Sequence, residues 1–510
     1  MELSVQLVAA TPQSLNTIAA AARTCYSSKG IVLPDAVLAP PDSPRSQSQR
    51  QRRDTLVQDL YRSGHHTTIQ HVQFHFALTG VSRLLVWSLL HNHPFYNSEQ
   101  VSQRYVQVKP ENMYRPPELP QRYQEAYDGV LEFLIERYRQ LAEALMPQVE
   151  AILRARFPHR DFQVKRWRRM ILTRAWEVAR YVLPLATQAY LHHTVSALTL
   201  LRYHQIVNHT DAPAEARRLV NAMIQAVLDQ DPDFALLLQE PPQPPPDVPP
   251  GEPLLTETEA QAFDQTIGQG QSRLLNPNPS LEHLLAQAYR TATGQPTLSD
   301  AQALAEMLDP AHNPLLAEPL NLTYHLKTTQ PLLHACWTFQ KKLSHTADSQ
   351  DQRHRMTPAS RPRLRFPEFP DYLTPALVQQ DPELLHLYHD TLQQLWDRLL
   401  DLHRRGMAPE HLLYLLPNAV AVRFYETFNL LAFRHKVAMR LCYNAQEEIW
   451  RVTHQEVQQI SQVNPGIAQY LRPPCWLRKR AGKRPYCPEG ARYCGVQVWL
   501  LEPPEMERVL

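Results

Sequence analysis

The stretch Ser98-Glu99-Gln100-Val101-Ser102-Gln103-Arg104-Tyr105 sets a hydroxyl, a guanidinium fork and a phenol within one short loop. An arginine offers paired hydrogen bonds to a phosphate or to a planar carbonyl edge, and serine and tyrosine add directed ones, so the chemistry is recognition of a phosphate or a pyrimidine. A surface loop held by a salt bridge would use the same residues, and spacing alone does not separate the two readings. A looser copy, Asp348-Ser349-Gln350-Asp351-Gln352-Arg353-His354-Arg355, returns in the second half. The chain therefore reads as two versions of one domain, with Arg353 set opposite Arg104.

Two other groups of residues could do chemistry. His65, His66, His71, His91 and His93 carry imidazoles, but their spacing matches no compact metal-ligand template, so satisfied or solvated histidines are expected. Near the end, Cys475, Cys487 and Cys494 stand in a basic loop, and with Cys442 or His454 they could hold zinc. Their spacings exceed the usual Cys-x2–4-Cys knuckle, and reduced thiols in a packed appendage account for them better. No Gly-x-Gly-x-x-Gly or phosphate-loop pattern occurs among the 13 glycines, so any nucleotide must be held by side chains.

The elements that must position these residues follow from periodicity. Residues 3–9 alternate like a strand, Thr11-Pro12 caps a helix bearing Leu15, Ile18 and Ala22, and a charged helix runs from Asp54 to Arg62. Val72, Phe74, Phe76 and Leu78 share one face of a strand, and a helix over about 81–90 leads into the loop at Ser98. Helices are predicted over 121–156, after the basic run Lys165-Arg166-Trp167-Arg168-Arg169, over 186–207 and over 214–229. The segment 239–253 is a stiff, proline-rich spacer. Beyond it the order restarts: a helix from Leu281, a strand over Leu320–Leu326, a helix over Pro331–Phe339, then Leu415-Leu416-Pro417 repeating Val182-Leu183-Pro184 and Thr427-Phe428-Asn429 repeating Thr194-Val195-Ser196. The expected organisation is α/β (α+β): two tandem domains over 1–238 and 254–470, each a small sheet packed with long helices, and a cysteine-containing basic tail over 471–510.

Length and charge agree with this. A chain of 510 residues has room for two cores, and a net charge of +2 gives no general argument for a polyanion partner. The basic runs at 165–169 and 478–484 come without an aromatic platform, so nucleic acid is not the expected partner. Six sparse cysteines, the absence of a basic leader before an apolar run, and the absence of a long apolar segment point to a soluble cytoplasmic protein with no membrane partner.

Taken together, Gly64-His65 ahead of Gln70-His71, the alternating strand, Glu-Gln-x-Ser-Gln-Arg-Tyr, the Arg-x-x-Leu-Pro segment and Met439-Arg440-Leu441-Cys442-Tyr443-Asn444-Ala445-Gln446-Glu447-Glu448-Ile449 resemble the flavin-dependent thymidylate synthases, the ThyX family. The resemblance implies methylation of dUMP with methylenetetrahydrofolate as carbon donor, FAD as cofactor and NADPH as reductant, with no cysteine nucleophile. It implies dUMP contacts from Glu99, Gln100, Ser102, Arg104, Arg180 and Arg440, and cofactor contacts from His71, His91, His93, Asn429 and Asn444. The family's Arg-His-Arg signature is His91-Asn92-His93 in the first copy, and the second carries Gln340-Lys341-Lys342 with a displaced Arg353-His354-Arg355. Arg180 faces Leu413 in the other copy and Arg440 faces Val207, so each half keeps a part that the other lacks. Because the family builds its sites between subunits, this implies a composite site, and a homo-oligomer made as a dimer of tandem chains. A former enzyme that binds nucleotide, nucleic acid or a protein partner is the alternative.

Overall fold

The computed structural model describes residues 1–209, 212–238 and 254–508, so the spacer predicted over 239–253 lies outside the described residues. In the first copy β1 (Ser4–Ala10) is followed by α1 (Ser14–Thr24). The chain enters α1 through Gln13 at φ 50°, which places the helix start beyond the Thr11-Pro12 pair expected to cap it. The next helix, α2 (Ser46–Arg62), begins earlier than Asp54 because the preceding glutamines and arginines are good helix formers. β2 (Gln73–Ser82) has the predicted alternation, with Val72, Phe74, Phe76 and Leu78 buried. Its pairing slips by one residue between Leu78 and Val81, where Gly80 takes φ +73° and a Cβ would come within 2.4 Å of the Glu2 carbonyl oxygen.

The helix expected over 81–90 is a single α turn (Arg83–Leu85) capped by Ser82, then a π turn (Val86–Leu90). β3 (Asn97–Gln100), α3 (Gln121–Arg156) and α4 (Lys165–Ala179) follow, and the basic run forms the first turn of α4. The helix predicted over 186–207 is corrected to β4 (Gln188–Ser196) and then α5 (Ala197–His209). Ala189, Leu191, His193 and Val195 all point inward, a strand period that the neighbouring helical pattern hid. α6 (Ala214–Leu228) closes this copy.

The second copy contains α7 (Glu257–Ile267), β5 (Ser272–Leu274), α8 (Leu281–Thr293), α9 (Asp300–Leu308), β6 (Cys336–Ser344), α10 (His345–Asp351), β7 (Ala359–Ser360), α11 (Pro382–Arg404), α12 (Pro409–Leu415), β8 (Ala421–Asn429), α13 (Leu430–Arg440) and α14 (Glu447–Val463). The strand predicted at Leu320–Leu326 is instead a 3-10 turn (Leu322–Tyr324) with Leu320 81% exposed, and the helix predicted over Pro331–Phe339 is a 3-10 turn (Gln330–His334) running into β6. Lys341 occupies an inward position of β6, so the true strand breaks the apolar alternation that the decoy satisfies.

Each copy holds a four-stranded antiparallel sheet, ordered β1-β2-β4-β3 and β5-β6-β8-β7. Ser82 pairs with Gln188 as Ser344 pairs with Ala421, and Gln73 pairs with Ser196 as Cys336 pairs with Asn429. These registers correct the expected alignment. Ser82 and Ser344 are 262 residues apart, so Arg353-His354-Arg355 stands opposite His91-Asn92-His93 and is not displaced. Glu99 faces His192 as Ser360 faces Tyr425, which sets Arg365, not Arg353, opposite Arg104.

The copies meet across an approximate two-fold axis at the Leu-Pro segments, where Pro184 bridges to Pro417. Leu185 N donates to Leu416 O at 2.8 Å and Asn418 N to Leu183 O at 2.8 Å, while Ala186 N donates to Tyr414 O and Ala419 N to Tyr181 O. The main apolar core spans this axis, with Tyr127, Leu134 and Tyr138 of α3 packed in one cluster with Tyr388, Leu395 and Trp396 of α11. Among the described residues no helix is long and apolar enough to cross a membrane.

Candidate active site

Two mirrored brackets hold the turns that carry the site. Ser82 caps its turn and gives both its N–H (2.8 Å) and its hydroxyl (2.6 Å) to Glu215, which also accepts from Tyr414 of the other copy. Ser344 likewise gives N–H (2.8 Å) and hydroxyl (2.5 Å) to Glu448, which accepts from Tyr181 across the axis. Each copy thus fixes its own turn with a carboxylate that the other copy completes. The turns dock together: the Trp87 indole donates to Asp348 at 2.7 Å, Arg361 binds the same carboxylate, and Gln352 donates to the Trp87 carbonyl at 3.3 Å.

This docking brings Arg353-His354-Arg355 of the second copy onto the loop of the first. Arg353 donates to Ser98 O at 2.9 Å and to the Glu99 carboxylate at 3.0 Å, and Arg355 donates to the Asn97 side chain at 3.1 Å. Beneath that turn lies a fully buried ionic cluster. Lys341 Nζ reaches Asp351 and Glu426 at 2.8 Å and Glu456 at 2.9 Å, and Lys436 Nζ reaches Asp351 at 2.7 Å and Glu426 at 2.6 Å.

α4 supplies the opposite wall. Arg174, Glu177 and Arg180 recur every three residues and so share one face. Arg104 lies against Glu177, its Nε 3.1 Å from Oε1 and its Nη2 donating to Oε2 at 3.3 Å, and it also donates to Asn444 O. Arg174 donates to Glu177 at 2.9 Å and to the Asn444 side chain at 3.4 Å. Burial pushes the Glu177 carboxyl up, but Arg104, Arg174, Arg508 and Arg180 together overcome it and hold it at about 2. Arg180 is buried and donates to Glu177 O at 3.2 Å, and Arg440, at the end of α13, donates to Gln350 O. Burial, with neighbouring cations, pulls Arg180 and Arg440 down to about 10.

Of the expected nucleotide residues, Glu99, Gln100, Ser102, Arg104, Arg180 and Arg440 therefore gather at one interface. Gln100 accepts from Arg83 at 2.8 Å, and the Ser102 hydroxyl accepts from Arg104 N at 3.2 Å. Asn444 belongs to the same cluster, bound by Arg104 and Arg174. His91 adjoins the interface through Ser98, whereas His71, His93 and Asn429 are engaged elsewhere. His71 is exposed at the end of β2 remote from Ser82, and Asn429 caps α13 at its far end by accepting from Ala432 N at 2.9 Å. His91 is committed to the Ser98 hydroxyl at 3.0 Å and stacked on Tyr96, while His93 contacts the Tyr203 hydroxyl at 2.6 Å. Burial drives His91 well below the usual imidazole range and His93 down to about 4, so both are neutral and lack the cation that an arginine would bring.

Glu177, Arg174, Gln350 and the correct place of Arg353 were missed from sequence. The three-residue spacing on α4 was available; the rest needed the strand register. Several buried polar atoms here have no partner: Arg180 Nη2, Arg440 Nε, Gln103 Nε2 and His354 Nε2. Unspent donors beside surplus guanidinium charge fit an acceptor-rich anionic ligand, as a nucleotide or the pyrophosphate of a flavin dinucleotide would be.

In the tail, Cys442, Cys475, Cys487 and Cys494 are free thiols lining one pocket. Burial pushes Cys442 up to about 11 and Cys475 to about 12. Among the described residues no group of three or more His, Cys, Asp or Glu side chains is disposed to hold a metal ion, which leaves the zinc reading of the tail without support.

The basic runs are partly spent inside the chain. Arg166 donates to Ala491 O at 2.7 Å, Arg169 to Tyr105 O at 2.6 Å, and Arg480 pairs with Asp309 at 2.7 Å.

Flavin-dependent thymidylate synthase of Clostridium tetani is 27% identical over 240 residues, covering 44% of this chain and 83% of that protein. The Nitratidesulfovibrio vulgaris protein of the same name is 27% identical over 223 residues, covering 44% and 81%. A solved UMP/dUMP methylase from Streptomyces cacaoi, bound with 5-Br dUMP, aligns at 18% identity and a TM-score of 0.32, covering 46% of this chain and 94% of that one. The family described as thymidylate synthase complementing protein matches residues 6–233 and again 273–466, and the chain belongs to that family, carrying its domain twice.

Proposed function

We propose that the chain is a flavin-dependent thymidylate synthase that methylates dUMP at C5, taking the carbon from methylenetetrahydrofolate and reducing equivalents from NADPH. The observation that carries this reading is the split signature: Arg353-His354-Arg355 of the second copy seated on Ser98 and Glu99 of the first. Arg104 and Arg180 from one copy and Arg440 from the other then clamp the phosphate and the pyrimidine edge, fixing the base and excluding water from it. Ser102 adds a hydroxyl donor. Arg353, His354 and Arg355 would hold FAD, which when bound supplies the carbon and hydride chemistry.

The reading also sets the number of sites. The mirror position has Leu413 for Arg180, Val207 for Arg440 and His91 for Arg353, and keeps only Arg365 opposite Arg104, so it has lost three of the four cations that would hold an anion. One composite site per chain follows, and a dimer of chains would carry two. The test is the visible spectrum and flavin content of the purified protein, followed by dTMP formation from dUMP, methylenetetrahydrofolate and NADPH. The expected result is one FAD per chain, with kcat/KM falling at least about 100-fold in R104Q and R440Q, the effect of losing a charged contact in the transition state. Two flavins per chain would sink the single-site reading, and nucleotide binding without flavin or turnover would mark a decayed enzyme.

A further inference from the structure

The tail beyond residue 466 lies outside both segments matched by the family, yet it returns to the composite site. Its helix, α15 (Pro474–Arg480), is anchored through Arg480 to Asp309 at 2.7 Å, and Arg472 pairs with Glu502 at 2.6 Å. The His454 ring contacts Pro503 O at 3.1 Å and Met506 is buried, which delivers Arg508 to the site.

Arg508 is 4% exposed, and its Nε donates to Tyr443 O at 3.0 Å. With Arg104 and Arg174 on Asn444, three guanidinium groups converge on the turn 443–444. Arg508 lines a narrow pocket with Arg174, Glu177, Tyr181, Gln446 and Glu447. Glu177 is shared by Arg104 and Arg174, and Glu447 is already paired with Arg451. Arg508 Nη1 has no partner, and neither has Arg180 Nη2 nearby. A buried guanidinium with an unspent donor, facing carboxylates that other cations have claimed, is poised for an anion from outside.

We infer that Arg508 is a phosphate-binding residue that the tail adds to the composite site, taking the phosphomonoester of the nucleotide. This rests on the site being a nucleotide site, as proposed above. A tail arginine used only as a structural clamp on the Tyr443 carbonyl would leave Nη1 idle, whereas a phosphate would engage it.

The test compares wild type, R508Q and R508K in titrations with dUMP, with deoxyuridine, which lacks the phosphate, and with inorganic phosphate as competitor. R508Q is expected to weaken dUMP at least tenfold and to leave deoxyuridine unchanged, R508K to recover part of the loss, and phosphate to compete less well in R508Q. Equal weakening of dUMP and deoxyuridine, or no change in either, would overturn the inference. If the wild type binds neither uridine compound but binds inorganic phosphate in an Arg508-dependent way, the proposed function fails while the anion role of Arg508 stands. Should R508Q not fold, R508K, which keeps the cation and a donor to Tyr443 O, decides alone: unchanged dUMP and phosphate affinity would overturn the inference.

Discussion

A single residue explains why one strand escaped the sequence. Lys341 points into the core of the second copy, in the middle of Cys336–Ser344, where the alternation of Trp337, Phe339 and Leu343 calls for an apolar side chain. Its charge is tolerated because Asp351, Glu426 and Glu456 surround it within 2.9 Å. Burial alone would lower its pKa, but these carboxylates hold it well above the usual lysine range. Removing it would leave three buried carboxylates with Lys436 in contact and Arg361 further off. K341M is therefore expected to cost about 3–5 kcal/mol of stability, the scale of an orphaned buried ion pair. Urea unfolding would measure this, and a loss below about 1 kcal/mol would mean that the carboxylates simply take up protons. The Ser98–Tyr105 loop could be singled out because its residue types suit anion recognition without reference to a partner, and in the fold its Arg104 is paired with Glu177. Lys341 and Glu177 were not, since their roles exist only once other elements supply the counter-charges.

At the scale of elements, the duplication was legible in the Leu-Pro segments and in Thr427-Phe428-Asn429, whose offset of 233 the β4 and β8 registers keep. The expected offset of 249 for the arginine loops failed because α10 and the turn after it superficially resemble the first-copy loop. Sequence likeness matched side chains, whereas strand pairing fixes which turn follows which strand. The two Ser–Glu–Tyr brackets make a sharper test of the resulting symmetry. Tyr181 donates to Glu448 and also accepts from Gln446 at 2.6 Å, and Gln446 in turn accepts from Gln350, whose carbonyl receives Arg440. Tyr414 has Glu215 as its bracket partner and no such chain toward Arg440. Both Y181F and Y414F should lose about 1–3 kcal/mol, the cost of a buried acceptor losing its donor. Only Y181F should also weaken dUMP binding, because it frees Gln446 and, through it, the arginine. Equal nucleotide affinity in the two variants would sever that link. Since the brackets share no partner, the double variant should add within about 0.5 kcal/mol.

For the whole molecule, the shared core makes unfolding a single event, and buried histidines set its pH limit. His93 is held at about 4, His193 and His345 at about 3, and His91 and His354 well below the usual imidazole range, in every case chiefly by burial. Each stays neutral when folded and takes a proton near pH 6.5 when unfolded, so below that pH the unfolded chain binds more protons and stability falls. One such group contributes up to about 1.4 kcal/mol per pH unit. Glu215 works the other way: burial raises it to about 7, so its contribution is full below the unfolded carboxylate range near 4.5 and is lost as pH climbs through 7. His411, His435 and His454 shift the same way as these histidines and Glu447 and Glu456 the same way as Glu215, so the lowered histidines outnumber the raised carboxyls and stability falls on acidification below about pH 6.5. Glu177, held at about 2, adds to the acid side only below about 4.5. Because Tyr127 and Tyr138 of one copy and Tyr388 and Trp396 of the other occupy one core, opening either half exposes part of the other's interior, although each copy also has an apolar cluster of its own. Urea midpoints should therefore fall sharply between pH 6.5 and 5.5 in one transition followed identically by tryptophan fluorescence and far-UV circular dichroism. A midpoint that is flat or rising toward pH 5.5 would show that the histidines already carry protons in the fold. Two separate transitions would show that the copies are held together by the site's polar contacts and not by the apolar core.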